Sequence, residues 1–151
     1  MNTGHTTFST LHAGGVKEAV NRLTHDPINV PTAMFGALDL MVIQSLQYVE
    51  GRGIRRCLSL NEVYVEEGVI GWNPLFVWDP HTDTFQRTDT SSRVLDRIAY
   101  SHGWSEEDIQ KNLHMRAKTL RNMTQEQIRG GVGEVGARIH ELRKSLLHGS
   151  E

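Results

Sequence analysis

The chain has 151 residues, enough for one domain with a real core but short for two. At 38% hydrophobic and 23% charged residues, with a formal charge of −2, it is an ordinary globular mix, which excludes a disordered chain and a generally basic nucleic-acid binder. The single cysteine, Cys57, excludes an intramolecular disulfide and a multi-cysteine zinc site and fits a reducing cytoplasm.

In chain order, Thr6 to Leu11 reads as a short strand carrying Phe8 and Leu11. Gly14-Gly15 turns into a helix from Val16 to Leu23, with Val16, Ala19, Val20 and Leu23 at helical spacing. Pro31 suits the first turn of a short helix, Thr32 to Ala37. Leu40 to Val49 is a nearly continuous apolar run, as expected of a strand covered on both faces, and Asp39, Gln44 and Gln47 keep it too short and polar to cross a bilayer. After a turn at Gly51-Arg52-Gly53, a long strand spans Ile54 to Val65. Leu58 and Leu60 have one parity there and Val63 and Val65 the other, which predicts a bulge near Asn61. Glu66-Glu67-Gly68 and Gly71 are turn chemistry. Leu75–Trp78 and Thr84–Arg87 flank a five-residue hairpin loop, Asp79-Pro80-His81-Thr82-Asp83.

The last third is helical. Ser91 or Ser92 caps a helix carrying Val94, Leu95, Ile98 and Ala99, which stops at Gly103. Ser105 with Asp108 is a variant capping box for a helix to Asn122, and Thr124 with Gln127 repeats it for the last helix. Ile128, Val132, Val135, Ile139, Leu142 and Leu146 form one apolar stripe there, which must pack on something. Trp72, Trp78 and Trp104 read as packing residues rather than a base-stacking platform.

The sharpest chemical feature is Gly4-His5-Thr6-Thr7-Phe8-Ser9-Thr10-Leu11-His12-Ala13. Imidazoles can donate to a phosphate oxygen or exchange protons with it near neutral pH, and the hydroxyls add neutral donors. On spacing alone the same residues read first as two surface histidines at strand ends. A zinc reading of His5 and His12 lacks a third ligand in the segment. Gly131 to Gly136 matches G-x-G-x-x-G, yet it lies within the helical stripe with no strand ahead of it, so helix packing or a kink explains it better than a nucleotide. No G-x-x-x-x-G-K-[ST] occurs, so the chain cannot assemble a phosphate loop by itself. Arg52, Arg55 and Arg56 cluster beside a turn, where they could reach a phosphate or simply be solvated.

Taken together, these segments resemble the C-terminal half of the archaeal branch of the type II/type IV secretion ATPases, the hexameric motors of pilus and archaellum assembly. GHTTFSTLHA (4–13) is similar to that family's histidine box. Pro27-Ile28-Asn29-Val30-Pro31 with Ala37-Leu38-Asp39 and Gln44, then Arg55-Arg56 through Glu62-Val63, then Phe76-Val77-Trp78-Asp79-Pro80 with Thr82-Asp83-Thr84-Phe85, are similar to further motifs of the family in the same order. The likeness covers roughly residues 3 to 122.

The resemblance implies an α/β fold in which residues 1–88 are the C-terminal portion of a RecA-like ATPase core with its β-hairpin. Residues 89–151 would then be a C-terminal helical bundle. It implies an ATP-driven hexameric motor for secretion or filament assembly, working in the cytoplasm against the inner face of the membrane with a polytopic platform protein and no nucleic acid. His5 and His12 would sense or polarise phosphate with support from Thr10, Arg55 and Arg56 would lie near the nucleotide, and Glu62 would be structural. ATP and Mg²⁺ are the cofactors of the full-length family. The phosphate loop and acidic box that the family carries ahead of the histidine box do not occur here, so the chain reads as a truncated or split product. Alone it is expected neither to bind ATP tightly nor to hydrolyse it, and to associate with itself or with the missing N-terminal part through an open edge at Thr6–Leu11. The other reading is a non-enzymatic truncated module that binds a motor ATPase or a pilus partner.

Overall fold

The computed structural model describes residues 6–49, 51–126 and 132–148, excepting the side chains of residues 49 and 146–148. It divides after Val94 into two compact units.

In the first unit, helix α1 (Val16–Thr24) and a 3-10 helix (Thr32–Ala37) precede four strands, β1 (Leu40–Val49), β2 (Arg52–Glu66), β3 (Val69–Asp79) and β4 (Thr84–Arg87). These form one antiparallel sheet in chain order, β1-β2-β3-β4. This corrects the RecA-like expectation: such a core is a parallel sheet whose strands are joined by crossover helices, whereas β2 and β3 are joined by only Glu67 and Gly68. Both linking residues take positive φ, 50° and 79°, which matches the twist of a tight hairpin.

One face of the sheet carries the core. Val16 and Val20 of α1, Phe35 of the 3-10 helix, Ile43 of β1 and Val63 of β2 are buried together, with Leu58, Val65, Ile70 and Trp72 packed around them. Each such side chain contributes roughly 1.5–3 kcal/mol by leaving water. The broken parity of β2 has the expected cause. Its pairing with β1 shifts opposite Ile43/Gln44, where Leu58 is the extra residue of β2; at the shift beside Asn61 the extra residue is Leu75 of β3, so the bulge of β2 lies at Leu58 rather than at Asn61. The extra step lets Leu58 reach the same core as Val63 and Val65. Asn61, itself buried, donates from Nδ2 to the Met41 carbonyl and to Ser59 Oγ beside these shifts.

Three local expectations are corrected here. Thr6–Leu11 is exposed and not a strand, because among the described residues no strand lies beside it to complete a ladder. β1 is an edge strand covered on one face only: Met41, Ile43, Ser45 and Gln47 are at least half-covered while Leu40, Val42, Leu46 and Tyr48 are exposed. Gly71 sits inside β3 rather than in a turn. A Cβ there would lie 2.5 Å from the Tyr64 ring, which crosses the glycine from the opposite strand.

The second unit consists of helices. α2 (Arg93–His102) begins at the boundary and stops at Gly103, where Trp104 N–H returns to the Ala99 carbonyl. α3 (Glu106–Gln125) starts with the expected reciprocal box between Ser105 and Asp108. The second box falls partly outside the described residues. Thr124 lies within α3 and donates to the Leu120 carbonyl, and Gln127 lies outside the described residues. In α4 (Val132–His148) the stripe is only half used: Val135 and Leu142 are partly covered, whereas Val132 is 94% exposed. Ile128 lies outside the described residues.

Candidate functional site

Residues 6–13 run without regular structure into Gly14-Gly15 and α1. Their attachment point is defined. Gly14 N–H donates to Glu18 Oε2 at 2.7 Å, while Glu18 Oε1 holds Arg22 one turn on. The Gly14 amide and the Arg22 guanidinium keep the Glu18 carboxyl below its ordinary range. Thr6, Thr7, Ser9, Thr10 and His12 are therefore presented in the open, just ahead of an ordered helix. His5 lies outside the described residues.

The paired arginines are not brought together. Arg55 and Arg56 are successive residues of β2, so their side chains leave opposite faces of the sheet. Arg55 is exposed. Arg56 is engaged: its Nε and Nη2 each donate to the Asp83 carboxylate at 2.7 Å, a two-pronged pairing across the β3–β4 loop. Trp78 Nε1 donates to the same carboxylate, and the Arg56 and Trp78 bonds together lower the Asp83 pKa to about 2. Asp79 ties the rest of the loop, accepting from His81 N–H, Thr82 Oγ1 and Gln86 Nε2. With β3 ending at Asp79 and β4 starting at Thr84, the loop proper is Pro80–Asp83.

Glu62 has the structural role that the resemblance implied. It is buried, and it accepts from Ser92 Oγ, Arg93 N–H and Val94 N–H at 2.8 Å each, capping the start of α2 from within the sheet. A carboxylate at a helix N-terminus meets both the unpaired amides and the positive end of the helix dipole. Next to it, the Arg93 guanidinium lies 4.3 Å from the centre of the Tyr64 ring and pairs with Glu66. Ser91 or Ser92 carries the local cap signal, whereas Glu62 has none in that role, because its partners lie about thirty residues away.

Elsewhere, a cleft of about 410 Å³ lies between α3 and α4, with Met115, Met123 and Leu142 beside the Glu126–Arg138 ion pair. Gly133 and Gly136 are on α4, and the described element before them is α3, so the strand–loop–helix order that a phosphate site needs is missing from the described residues. Among the described residues no three His, Cys, Asp or Glu side chains converge. The exposed hydroxyls and His12 are hydrogen-bonding groups of the kind that meet a phosphate oxygen. No described helix is long and apolar enough to cross a membrane.

No family model matches the chain. It is similar to uncharacterized proteins of the archaeon Methanocaldococcus jannaschii. One is 35% identical over 126 residues, covering 82% of this chain and 46% of the relative. A second is 33% identical over 134 residues, covering 85% of this chain and 24% of the relative. The chain thus spans less than half the length of the first relative and about a quarter of the second.

Proposed function

We propose that this chain is the C-terminal segment of a secretion or pilus-assembly ATPase, contributing a histidine box to an ATP-driven hexameric motor. The observation that carries the reading is the exposed Thr6–His12 segment, which holds Thr10 and His12 accessible shortly before α1, at the head of an ordered series of motifs like the family's. In such a motor the hydroxyls and imidazoles of the segment meet phosphate oxygens of a nucleotide held by another part of the protein. His12 donates a hydrogen bond to phosphate or moves a proton to it, and Thr10 adds a neutral donor. ATP with Mg²⁺ supplies the phosphoryl chemistry when bound there. Arg56 contributes through Asp83 by fixing the hairpin, while Arg55 remains exposed and is the arginine that could approach an anion. On this reading the chain works in the cytoplasm, beneath a polytopic platform protein at the inner face of the membrane. The much greater length of both archaeal relatives is compatible with a remaining portion that holds the nucleotide.

Mixing provides the test. The purified chain is combined with the N-terminal part of an archaeal secretion ATPase that carries the phosphate loop, and phosphate release is followed. The expected result is no turnover by either part alone, turnover on mixing, and its loss with His12→Ala while the two parts still co-purify. Turnover indifferent to His12→Ala, or none on mixing, overturns the reading.

A further inference from the structure

Among the described strands β1 is outermost, and its edge is unguarded. Edge strands are ordinarily protected by charge, proline, short length or a bulge. The ten residues of β1, LMVIQSLQYV, contain no charge and no proline. The extra residue at its register shift, Leu58, belongs to β2, so β1 itself carries no bulge. The opposite edge, β4, is four residues long and ends in Arg87.

The phase of the free edge follows from one bond. Val63 N–H donates to the Asp39 carbonyl, and in an antiparallel ladder alternate residues turn both backbone groups to the same neighbour. Odd-numbered residues here therefore face β2. Leu40, Val42, Gln44, Leu46 and Tyr48 direct their N–H and C=O outward, and their side chains share one sheet face. All five are exposed, Tyr48 to 75%.

We propose that this edge is an interface with a second copy of the chain, β1 pairing antiparallel with β1 about a two-fold axis at Gln44. A ladder can form only where outward-facing residues meet one another. The register centred on Gln44 does this over the whole stretch from Leu40 to Tyr48. It sets Leu40 opposite Tyr48 and Val42 opposite Leu46 on both sides of the axis, joining exposed apolar side chains in cross-strand pairs. At the axis the two Gln44 amides can each donate and accept. Charge selects the direction. Asp39 precedes β1, whereas residues 50–55 at its far end carry Glu50, Arg52 and Arg55 and are net positive. Antiparallel copies set the acidic end of each strand against the basic end of the other, and parallel copies would set like against like. The pairing uses the strand alone and is independent of the motor reading.

Sedimentation of the whole chain tests it. The wild type is expected to interconvert between monomer and dimer with a dissociation constant on the order of micromolar, as suits a small interface. Gln44→Lys and Gln44→Glu each place like charges face to face at the axis and should weaken the dimer about tenfold or more, with the circular dichroism of the wild type retained. An equimolar mixture of the two variants should restore association. A monomeric wild type, an open-ended polymer, association indifferent to both variants, or a mixture that fails to restore it overturns the proposal.

Discussion

Glu62 shows how a single side chain joins sheet to helix. Its two oxygens accept three hydrogen bonds in a site closed to water, and two of the donors are backbone amides that have no partner within α2. Glu62→Gln keeps the shape but turns one acceptor into a donor. If the amide oxygen keeps Ser92 and Val94, the NH₂ group faces the Arg93 N–H. The expected cost is about 1.5–3 kcal/mol in a urea melt, the range for losing a bond to a charged acceptor; an unchanged midpoint would refute the cap. Asp83 offers a pH test of opposite exposure. Its folded pKa of about 2 lies below the ordinary carboxylate value, so the stability it contributes is present above about pH 4 and disappears as pH falls through about 2. Following the Trp78 indole N–H resonance from pH 5 to below 2 should show that loss in the wild type and none in Asp83→Asn. Cys57 is the quiet member of this set. Burial raises its thiol pKa, so alkylation near neutral pH should be slower than for a free thiol and speed up in base.

At the scale of elements, Ser105 and Asp108 tested well because a capping box is local: both partners lie within one turn, and the sequence contains the whole device. Ser105→Ala should accordingly lower the stability of α3 by about 1 kcal/mol, measurable as a loss of helical ellipticity on heating. A bulge in β2 was legible for the same reason, since parity along one strand is a local property, although it sits at Leu58 rather than near Asn61. Other elements fail where the deciding neighbour is set by the fold rather than by the local pattern. Gly71 resembles turn chemistry until Tyr64 is seen lying across it, and β1 resembles a doubly covered strand until Leu40, Val42, Leu46 and Tyr48 prove exposed on one of its faces. Thr6–Leu11 has strand composition but no adjacent ladder, so propensity alone does not order it. Thr124 has the look of a second cap, yet the helix ahead of it continues through it and its hydroxyl turns back to Leu120.

For the whole molecule, the antiparallel order was implicit in the turns. Connections as short as 67–68 and 80–83 can join only antiparallel neighbours, and the parallel expectation came from the family likeness rather than from these residues. The candidate site was legible as a set of exposed polar residues, while the pairing of Arg56 with Asp83, 27 residues on, was not. The two units also differ in how much they bury. The first holds a cluster joining α1, the 3-10 helix, β1 and β2. In the second, Ile109 is the one buried apolar side chain among the described residues, and Val132 and Ile139 of α4 stand 94% and 51% exposed. Local opening free energy follows buried apolar contact, so the second unit should open first. Native-state hydrogen exchange measures this directly. Amides in the middle of β2, held by ladders on both sides and by the core, should exchange about tenfold or more slowly than those in the middle of α4. Equal protection of the two would mean that the exposed stripe of α4 is covered in solution, and that the helices gain their stability from a surface beyond the described residues.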